Sequence, residues 1–183
     1  DDISNYGRTV ICIGSGNEGA ARGHAQGILR EGFSEEIQLA VAPYETTLSV
    51  QIWKNYSDDF DISVISPSGK RVGPLQQILG AQRFTLDGTE ILLYYGEPRT
   101  YSPYQEIYIS FLPVADYIDS GVWRFELIPH RIVQGNYNLW LPSQAVLSAG
   151  TGFLYPSEEI TLTIPSTASR VITASAYDAY SMQ

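Results

Sequence analysis

The stretch most suited to chemistry is GSGNEG, residues 14–19, which places Asn17 among glycines directly behind the apolar run TVICI. An asparagine side-chain amide can donate a hydrogen bond to an oxygen that becomes negative during acyl transfer. Such a donor must be held without reorganisation, and a buried strand followed by glycines would hold it. The same residues are equally typical of a simple left-handed turn. Taken alone, they leave both interpretations open.

A second polar group is the acidic stretch NYSDDFD, residues 55–61, with carboxylates at Asp58, Asp59 and Asp61. Calcium sites in proteins gather about six to eight oxygen ligands, and the spacing here does not match an EF-hand loop. We therefore expect a solvated acidic turn. No metal and no other cofactor is predicted for the chain.

A serine protease needs a nucleophile, a base and an orienting carboxylate, and no such set is visible. His24 lies in a glycine-rich segment and His130 follows Pro129 at a strand end, so both are expected to be structural or solvated. The motif GTGF, residues 150–153, contains no serine that could act as a nucleophile. The chain by itself is expected to be inactive.

The composition suits a folded domain and excludes several classes of protein. Hydrophobic residues make up 44% of the 183 residues, which is enough for a core. A net charge of −9 repels phosphate backbones, so nucleic-acid binding is not expected. No apolar run approaches the ~20 residues of a membrane span. The single cysteine, Cys12, lies in the apolar run and is expected to be a small buried hydrophobe.

Alternation of apolar and polar residues dominates the middle of the chain and predicts half-buried antiparallel strands. In TLSVQIW, for example, Leu48, Val50 and Ile52 share one face. The same pattern recurs in EIYISF (106–111), VWRFELI (122–128), YNLWL (137–141) and EITLTI (159–164). Glycine and proline mark turns at SPSGK and LDGTE. Roughly nine short strands predict a two-sheet β-sandwich with jelly-roll or Greek-key topology.

Four aromatic residues fall on the face opposite the aliphatic set: Trp53, Tyr94, Tyr108 and Trp140. Aromatic rings on a sheet face can stack on sugar rings, so a carbohydrate-binding or cell-wall module is one hypothesis. The other, which we favour, is that this face covers a neighbouring part of a larger protein. The lack of an initiator Met also favours an excerpt from a longer chain.

The two ends of the sequence resemble a known family. VICIGSGNEG resembles the strand and turn of subtilisin-like serine proteases that end in the oxyanion-hole asparagine. IPSTASRVITASAYDAY, residues 164–180, resembles the strand that follows in that family. The arrangement is similar to that of the Csp-like subtilases of clostridia, which carry a jelly-roll insert at this point. FDISVISPSGK, residues 60–70, also resembles a strand and turn of the jelly-roll P domain of proprotein convertases.

This resemblance implies a mainly β chain: a jelly-roll or Greek-key β-sandwich inserted between two strands of a subtilase α/β domain. Residues 1–23 would be the core strand and oxyanion turn, residues 24–157 the sandwich, and residues 158–183 the return to the core. The two core strands would be neighbours in a parallel sheet. Without covering helices, their apolar side chains would be exposed or paired with each other, which invites self-association.

The resemblance also implies roles for individual residues. Asn17 would be the oxyanion donor, and Gly14, Ser15 and Gly16 would line the substrate-binding wall. The triad Asp and His would lie upstream and the Ser downstream. The implied function is part of a serine endopeptidase whose insert rigidifies it, docks against it or gates substrates. A pseudoprotease with a signalling role, or a carbohydrate-binding module, are the alternatives.

The implied partners are the remainder of the protease domain, its prodomain and a peptide substrate. Several members of the Csp-like group act in spore germination. The resemblance therefore favours a secreted, cell-wall or spore-associated location.

Overall fold

The computed structural model describes residues 10–16, 21–78, 80–97, 99–100, 102–160 and 171–175. Contacts divide the chain into a smaller unit, Asp1–Ala21 with Glu158–Gln183, and a larger unit, Arg22–Ser157. The strands are β1 (Cys12–Gly14), β2 (His24–Ile28), β3 (Glu35–Val41), β4 (Leu48–Asn55), β5 (Asp59–Ile65), β6 (Arg71–Leu75), β7 (Gly80–Leu86), β8 (Thr89–Tyr95), β9 (Tyr104–Pro113), β10 (Gly121–Arg131), β11 (Asn136–Trp140), β12 (Gly152–Phe153) and β13 (Ile172–Ala174). A 3-10 turn spans Gln144–Val146. Within the described ranges no helix is long and apolar enough to cross a membrane.

The larger unit is a β-sandwich of two antiparallel sheets. One sheet has the order β12-β3-β10-β5-β6, and the other has the order β2-β11-β4-β9-β8-β7. Strand β3 pairs with β10 in the first sheet, and β4 pairs with β9 in the second. The connection from β3 to β4 crosses from the first sheet to the second, and the connection from β9 to β10 crosses back beside it. This arrangement is typical of a jelly roll. The mainly β sandwich predicted from the sequence is confirmed.

The core lies between the two sheets and follows the period-two pattern. Val50 of β4 lies opposite Ile109 of β9, and both are fully buried. On the facing sheet, Trp123, Phe125 and Leu127 of β10 are also fully buried. Phe111 meets Trp123 and Phe125 edge to face, with ring centroids 5.1 and 6.1 Å apart. These inward faces are the ones that the alternation predicts.

The outer face of the five-stranded sheet is charged. Arg124 of β10 lies 3.5 Å from Glu36 of β3. Arg71 of β6 pairs with Glu126 of β10, and β5 lies between these two strands. Exposed pairs of this kind contribute little to stability. They do mark this face as one that is in contact with solvent.

The turns at one end of the sandwich are joined by Asp87. Its carboxylate accepts hydrogen bonds from Ser66 Oγ at 2.7 Å and Ser68 Oγ at 2.6 Å, and it lies 2.6 Å from Lys70 Nζ. The turn SPSGK connects β5 to β6, whereas Asp87 lies between β7 and β8. One carboxylate therefore links the two sheets. The hydrogen bond from Lys70, followed by those from Ser68 and Ser66, lowers the pKa of Asp87 to about 2.

The first and last residues of the larger unit lie side by side. Phe153 N–H donates to the carbonyl of Arg22 at 2.9 Å, and Ser157 N–H donates to the carbonyl of His24 at 2.8 Å. The sandwich therefore begins and ends at the same place.

In the smaller unit, β1 and β13 form a parallel pair with Cys12 opposite Ile172 and Gly14 opposite Ala174. This is the pairing expected for the two terminal strands. The prediction that Cys12 is buried is wrong, because its side chain is exposed. Val10 and Ile172 are also largely exposed. An apolar strand becomes buried only where a neighbouring element covers it, and this face of the pair is accessible to solvent.

One predicted strand is only partly within the described residues. In EITLTI, Glu159 and Ile160 form a turn rather than a strand, and residues 161–164 lie outside the described ranges.

Candidate functional site

The turn after β1 begins as a continuation of the parallel pair. Ser15 N–H donates to the carbonyl of Ala174 at 3.0 Å, so the ladder extends one residue past the strand. Gly16 then has φ of +91°, a conformation that favours glycine. A Cβ added at Gly14 would meet no atom within 4 Å, so open space lies beside that residue. The chain thus needs glycine at the residue that precedes Asn17.

Asn17 itself lies outside the described residues. Its role as an oxyanion donor therefore remains a prediction, as do the substrate-binding roles of Gly14, Ser15 and Gly16. One observation on the described residues is compatible both with an oxyanion donor at position 17 and with a simple turn. Gly16 has a positive φ and lies just beyond the carboxyl end of a hydrogen-bonded strand.

A row of mostly aromatic residues crosses the outer face of the six-stranded sheet. In order across five strands the row is His24, Trp140, Gln51, Tyr108 and Tyr94, each opposite the next in the strand register. The His24 and Trp140 rings stack with centroids 3.8 Å apart, and the Tyr94 and Tyr108 rings lie 6.4 Å apart.

Trp53 lies in the adjacent row, opposite Asn138. We call His24, Trp140, Tyr108, Tyr94 and Trp53 the aromatic face. The outer face of this sheet also carries the ion pair of Arg83 and Glu90, at 3.6 Å, and Glu106 opposite Trp53.

His24 occupies a structural position at the edge of this face. It is 2% exposed, and its Nε2–H donates to Asn138 Oδ1 at 3.0 Å. Its Nδ1 is buried without a hydrogen-bond partner in the structure. The ring is held between this hydrogen bond and the stacking contact with Trp140, as expected for a structural histidine.

The prediction of a solvated acidic turn is wrong for Asp58, which is 2% exposed. Its Oδ1 accepts the backbone N–H groups of Val133 and Gln134 at 2.7 and 2.8 Å, and its Oδ2 accepts that of Gly135 at 2.9 Å. A carboxylate that accepts several hydrogen bonds can be buried at little cost. Asp58 therefore organises the loop between β10 and β11.

The other two carboxylates lie at the start of β5 and are more accessible. Asp59 Oδ1 accepts a hydrogen bond from Gln77 Nε2 at 2.8 Å, and Asp61 Oδ2 lies 2.8 Å from His130 Nε2. The hydrogen bond to Asp61, and then its negative charge, raise the pKa of His130. Across the described ranges no group of three or more His, Cys, Asp and Glu side chains could hold a metal ion.

Sequence reasoning missed Lys54, which is 1% exposed. Its ammonium donates to the carbonyl of Asp58 at 2.5 Å and lies 5.3 Å from the ring centroid of Phe60. Burial lowers the pKa of Lys54, and the negative charges of Asp58 and Asp59 oppose that shift. The signal was present, since Lys54 follows Ile52 by two residues and so points to the same inward face.

Comparisons with known proteins place the chain beside a protease. The sequence matches no protein-family model and is not significantly similar to any curated protein. The structure is similar to that of the CspB protease of Clostridium perfringens, with a TM-score of 0.86 and 29% sequence identity. That match covers 96% of this chain and 37% of the CspB chain.

The chain thus spans about 37% of the length of that protease and shares its fold there. The likeness relates this chain to a Csp-like protease and supports a protease-related role.

Proposed function

We propose that this chain is the part of a subtilisin-like serine endopeptidase that holds the oxyanion turn and an inserted jelly-roll domain. In this proposal residues 1–23 and 158–183 belong to the protease core, and residues 24–157 form the insert. The remainder of the protease, its prodomain and a peptide substrate are the partners. The similarity to CspB and the family resemblance of both ends support this assignment.

The observation that carries the proposal is the parallel pairing of β1 with β13 directly before Gly16, whose φ is positive. Sheets of α/β enzymes place their reactive groups beyond the carboxyl ends of parallel strands. Gly14, Ser15 and Gly16 occupy that position on β1, and Asn17 follows them. In the proposed enzyme, Asn17 donates its amide to the oxyanion and the three preceding residues line the substrate wall.

The test of this role is Asn17→Ala in the complete protease that contains this chain. Loss of one oxyanion donor lowers kcat by about 10²–10³-fold and leaves KM nearly unchanged, because the hydrogen bond forms in the transition state. Asn136→Ala, at the exposed start of β11, is the matched control and should retain wild-type kcat. Wild-type kcat in Asn17→Ala would show that Asn17 only makes a turn. A wild-type protein without peptidase activity would favour a pseudoprotease.

For the insert we propose docking through the aromatic face against the rest of the protease. On this face Tyr94 is 40% exposed and the rings of Trp53, Tyr108 and Trp140 are partly exposed, whereas His24 is buried. Apolar rings that remain open to solvent in this way can form an interaction site. The double variant Tyr94→Ser, Tyr108→Ser should lower the thermal stability of the complete protease more than that of the isolated chain. Arg124→Ser, on the charged outer face of the other sheet, should have an equally small effect on the thermal stability of the complete protease and of the isolated chain.

The row of rings also favours a second candidate, a carbohydrate-binding face, since sugars stack on such surfaces. Sedimentation of the isolated chain with insoluble peptidoglycan separates the two functions. Binding that is lost in Tyr94→Ser, Tyr108→Ser supports the carbohydrate module. Absence of binding, together with the stability difference above, supports docking.

A further inference from the structure

The sandwich leaves one side of β3 open. Strand β12 pairs with β3 only at Leu39 and Ala40, so residues 35–37 have no strand partner on that side among the described residues. On the facing sheet the edge strand is β2. The gap between the two edges forms a groove, and Tyr155, which lies on the segment that follows β12, contributes to its wall.

The open side of β3 presents backbone hydrogen-bonding groups. The carbonyl of Gln38 points to this side, since it accepts the N–H of Leu154 at 3.0 Å. Alternate residues of an antiparallel strand direct their backbone groups to the same side. The N–H and C=O of Glu36 therefore face the groove. An extended peptide can pair with such an edge as an added strand.

Beside this edge the groove contains a cavity of about 180 Å³, with Ala25, Ile37, Tyr137 and Glu35 in its lining. Sites for drug-sized ligands have volumes of about 300–1,000 Å³. This cavity is smaller and suits one long side chain. Burial, and secondarily the negative charge of Glu35, raise the pKa of Tyr137 to about 12. The Glu35 carboxylate is therefore close enough to influence a charge at the cavity.

The charge of the groove selects its occupant. Glu35 and Glu36 are both exposed at its rim. Glu36 already accepts from Gln38 Nε2 at 2.9 Å and lies 3.5 Å from Arg124. Glu35 has no ion pair in the described part of the chain. A second copy of this chain, with a net charge of −9, would be repelled, whereas a cationic segment would be attracted.

We propose that this groove binds an extended cationic peptide segment of another protein, which adds a strand to β3 at Glu36. A lysine or arginine of that segment places its aliphatic stem along Ala25 and Ile37 and its charge beside Glu35. Backbone pairing provides the affinity, and the charge in the cavity provides the selectivity.

The test uses the 183-residue chain and three capped, fluorescein-labelled heptapeptides. The first is Thr-Val-Lys-Val-Lys-Val-Thr, the second replaces both lysines with glutamate, and the third is the first with alternate amides N-methylated. Fluorescence anisotropy should show binding of the first peptide that weakens with salt. The other two should bind at least about tenfold more weakly, because one lacks the charge and the other lacks the backbone donors.

Glu35→Lys should weaken binding of the lysine peptide by about tenfold or more. Glu97→Lys, in the loop between β8 and β9, makes the same change in net charge outside the groove and should bind as the wild type does. Circular dichroism of both variants checks that the fold is intact. NMR shifts on peptide addition should be confined to the amides of residues 35–38 and their neighbours in the groove.

Three results would overturn the proposal. The first is equal binding of the lysine and N-methylated peptides, and the second is unchanged binding to Glu35→Lys. The third is no binding of any peptide. Concentration-dependent dimerisation through β3 in sedimentation velocity would instead assign the edge to a second copy of the chain.

Discussion

Gly135 N–H donates to Asp58 Oδ2 at 2.9 Å across 77 residues of sequence. Val133 and Gln134 donate to the other oxygen of the same carboxylate, and Lys54 donates to the backbone carbonyl of Asp58. One buried acidic residue thus fixes the loop between β10 and β11 relative to the end of β4.

Replacement of Asp58 by alanine should be among the most destabilising changes in the sandwich. Three buried N–H groups would lose a charged acceptor, and each such hydrogen bond contributes about 1.5–3 kcal/mol. We expect the free energy of unfolding in urea to fall by about 3 kcal/mol or more. Asp59→Ala, one residue away and exposed, should cost less than about 1 kcal/mol. Equal losses in the two variants would contradict the role assigned to Asp58.

Asp87→Asn should make the sandwich less stable at neutral pH, and the deficit should shrink in acid. The pKa of Asp87 is about 2 in the folded chain, below the ordinary value of 3.8 for an aspartate. A lowered carboxyl pKa adds stability above pH 3.8, and this is lost as the pH falls through about 2. Urea unfolding of both proteins between pH 2 and 7 measures the difference. Asp116→Asn removes an exposed carboxyl in the loop after β9 and should leave the dependence of stability on pH as it is in the wild type. A difference in stability between Asp87→Asn and the wild type that does not change with pH would argue against the Lys70 contact.

The pKa of His130 should lie above the ordinary histidine value of 6.5, because Asp61 accepts its hydrogen bond and the negative charge of Asp61 favours the protonated ring. The raised pKa means that the pair stabilises the fold below pH 6.5 and that this contribution is lost as the pH rises through the raised pKa. NMR titration of the ring protons measures the pKa directly. Asp61→Asn should return it toward 6.5, and Glu97→Gln should not. A normal pKa in the wild type would mean that the pair is absent in solution.

Cys12 and a cysteine at position 172 should form a disulfide. The two positions are directly opposite in the parallel pair, and neighbouring strands bring Cα atoms within the 4.4–6.8 Å range that a disulfide spans. Mild oxidation of Ile172→Cys should therefore give an intramolecular bond, detected by mass spectrometry. Ala174→Cys, which lies opposite Gly14, serves as the mismatched control. Cross-linking of Ala174→Cys alone would show a different register.

The central strands could be predicted from the sequence because each one carries its own pattern. In β4, β9 and β10 the residue at every second position is buried, so the period alone separates the inner from the outer face. Strand β2 has no such clear pattern, because it contains Gly27 and lies in a glycine-rich segment. A Cβ at Gly27 would lie 2.2 Å from Tyr137 Oη, so glycine is required there by a partner that is remote in sequence.

The polar residues of the candidate sites were also harder to predict, because the groups that they contact are remote in sequence. The pattern of three acidic residues suggested a solvated turn, yet Asp58 is buried against backbone N–H groups more than 70 residues away. Burial of Cys12 was inferred from its apolar neighbours in sequence. The inference failed because the exposure of a strand depends on which other elements cover it. The aromatic face was predictable, because alternation fixes which side of a sheet each ring occupies.

The side-by-side ends of the sandwich have a consequence for how such a chain evolves. The conformational cost of closing a loop depends on the separation of its ends and on the disordered residues within it, and a folded loop with adjacent ends adds little. A polypeptide that acquires this module needs to accommodate only the short span between Arg22 and Ser157. A sandwich with adjacent ends can therefore be tolerated as an insertion within another domain without disruption of its own core.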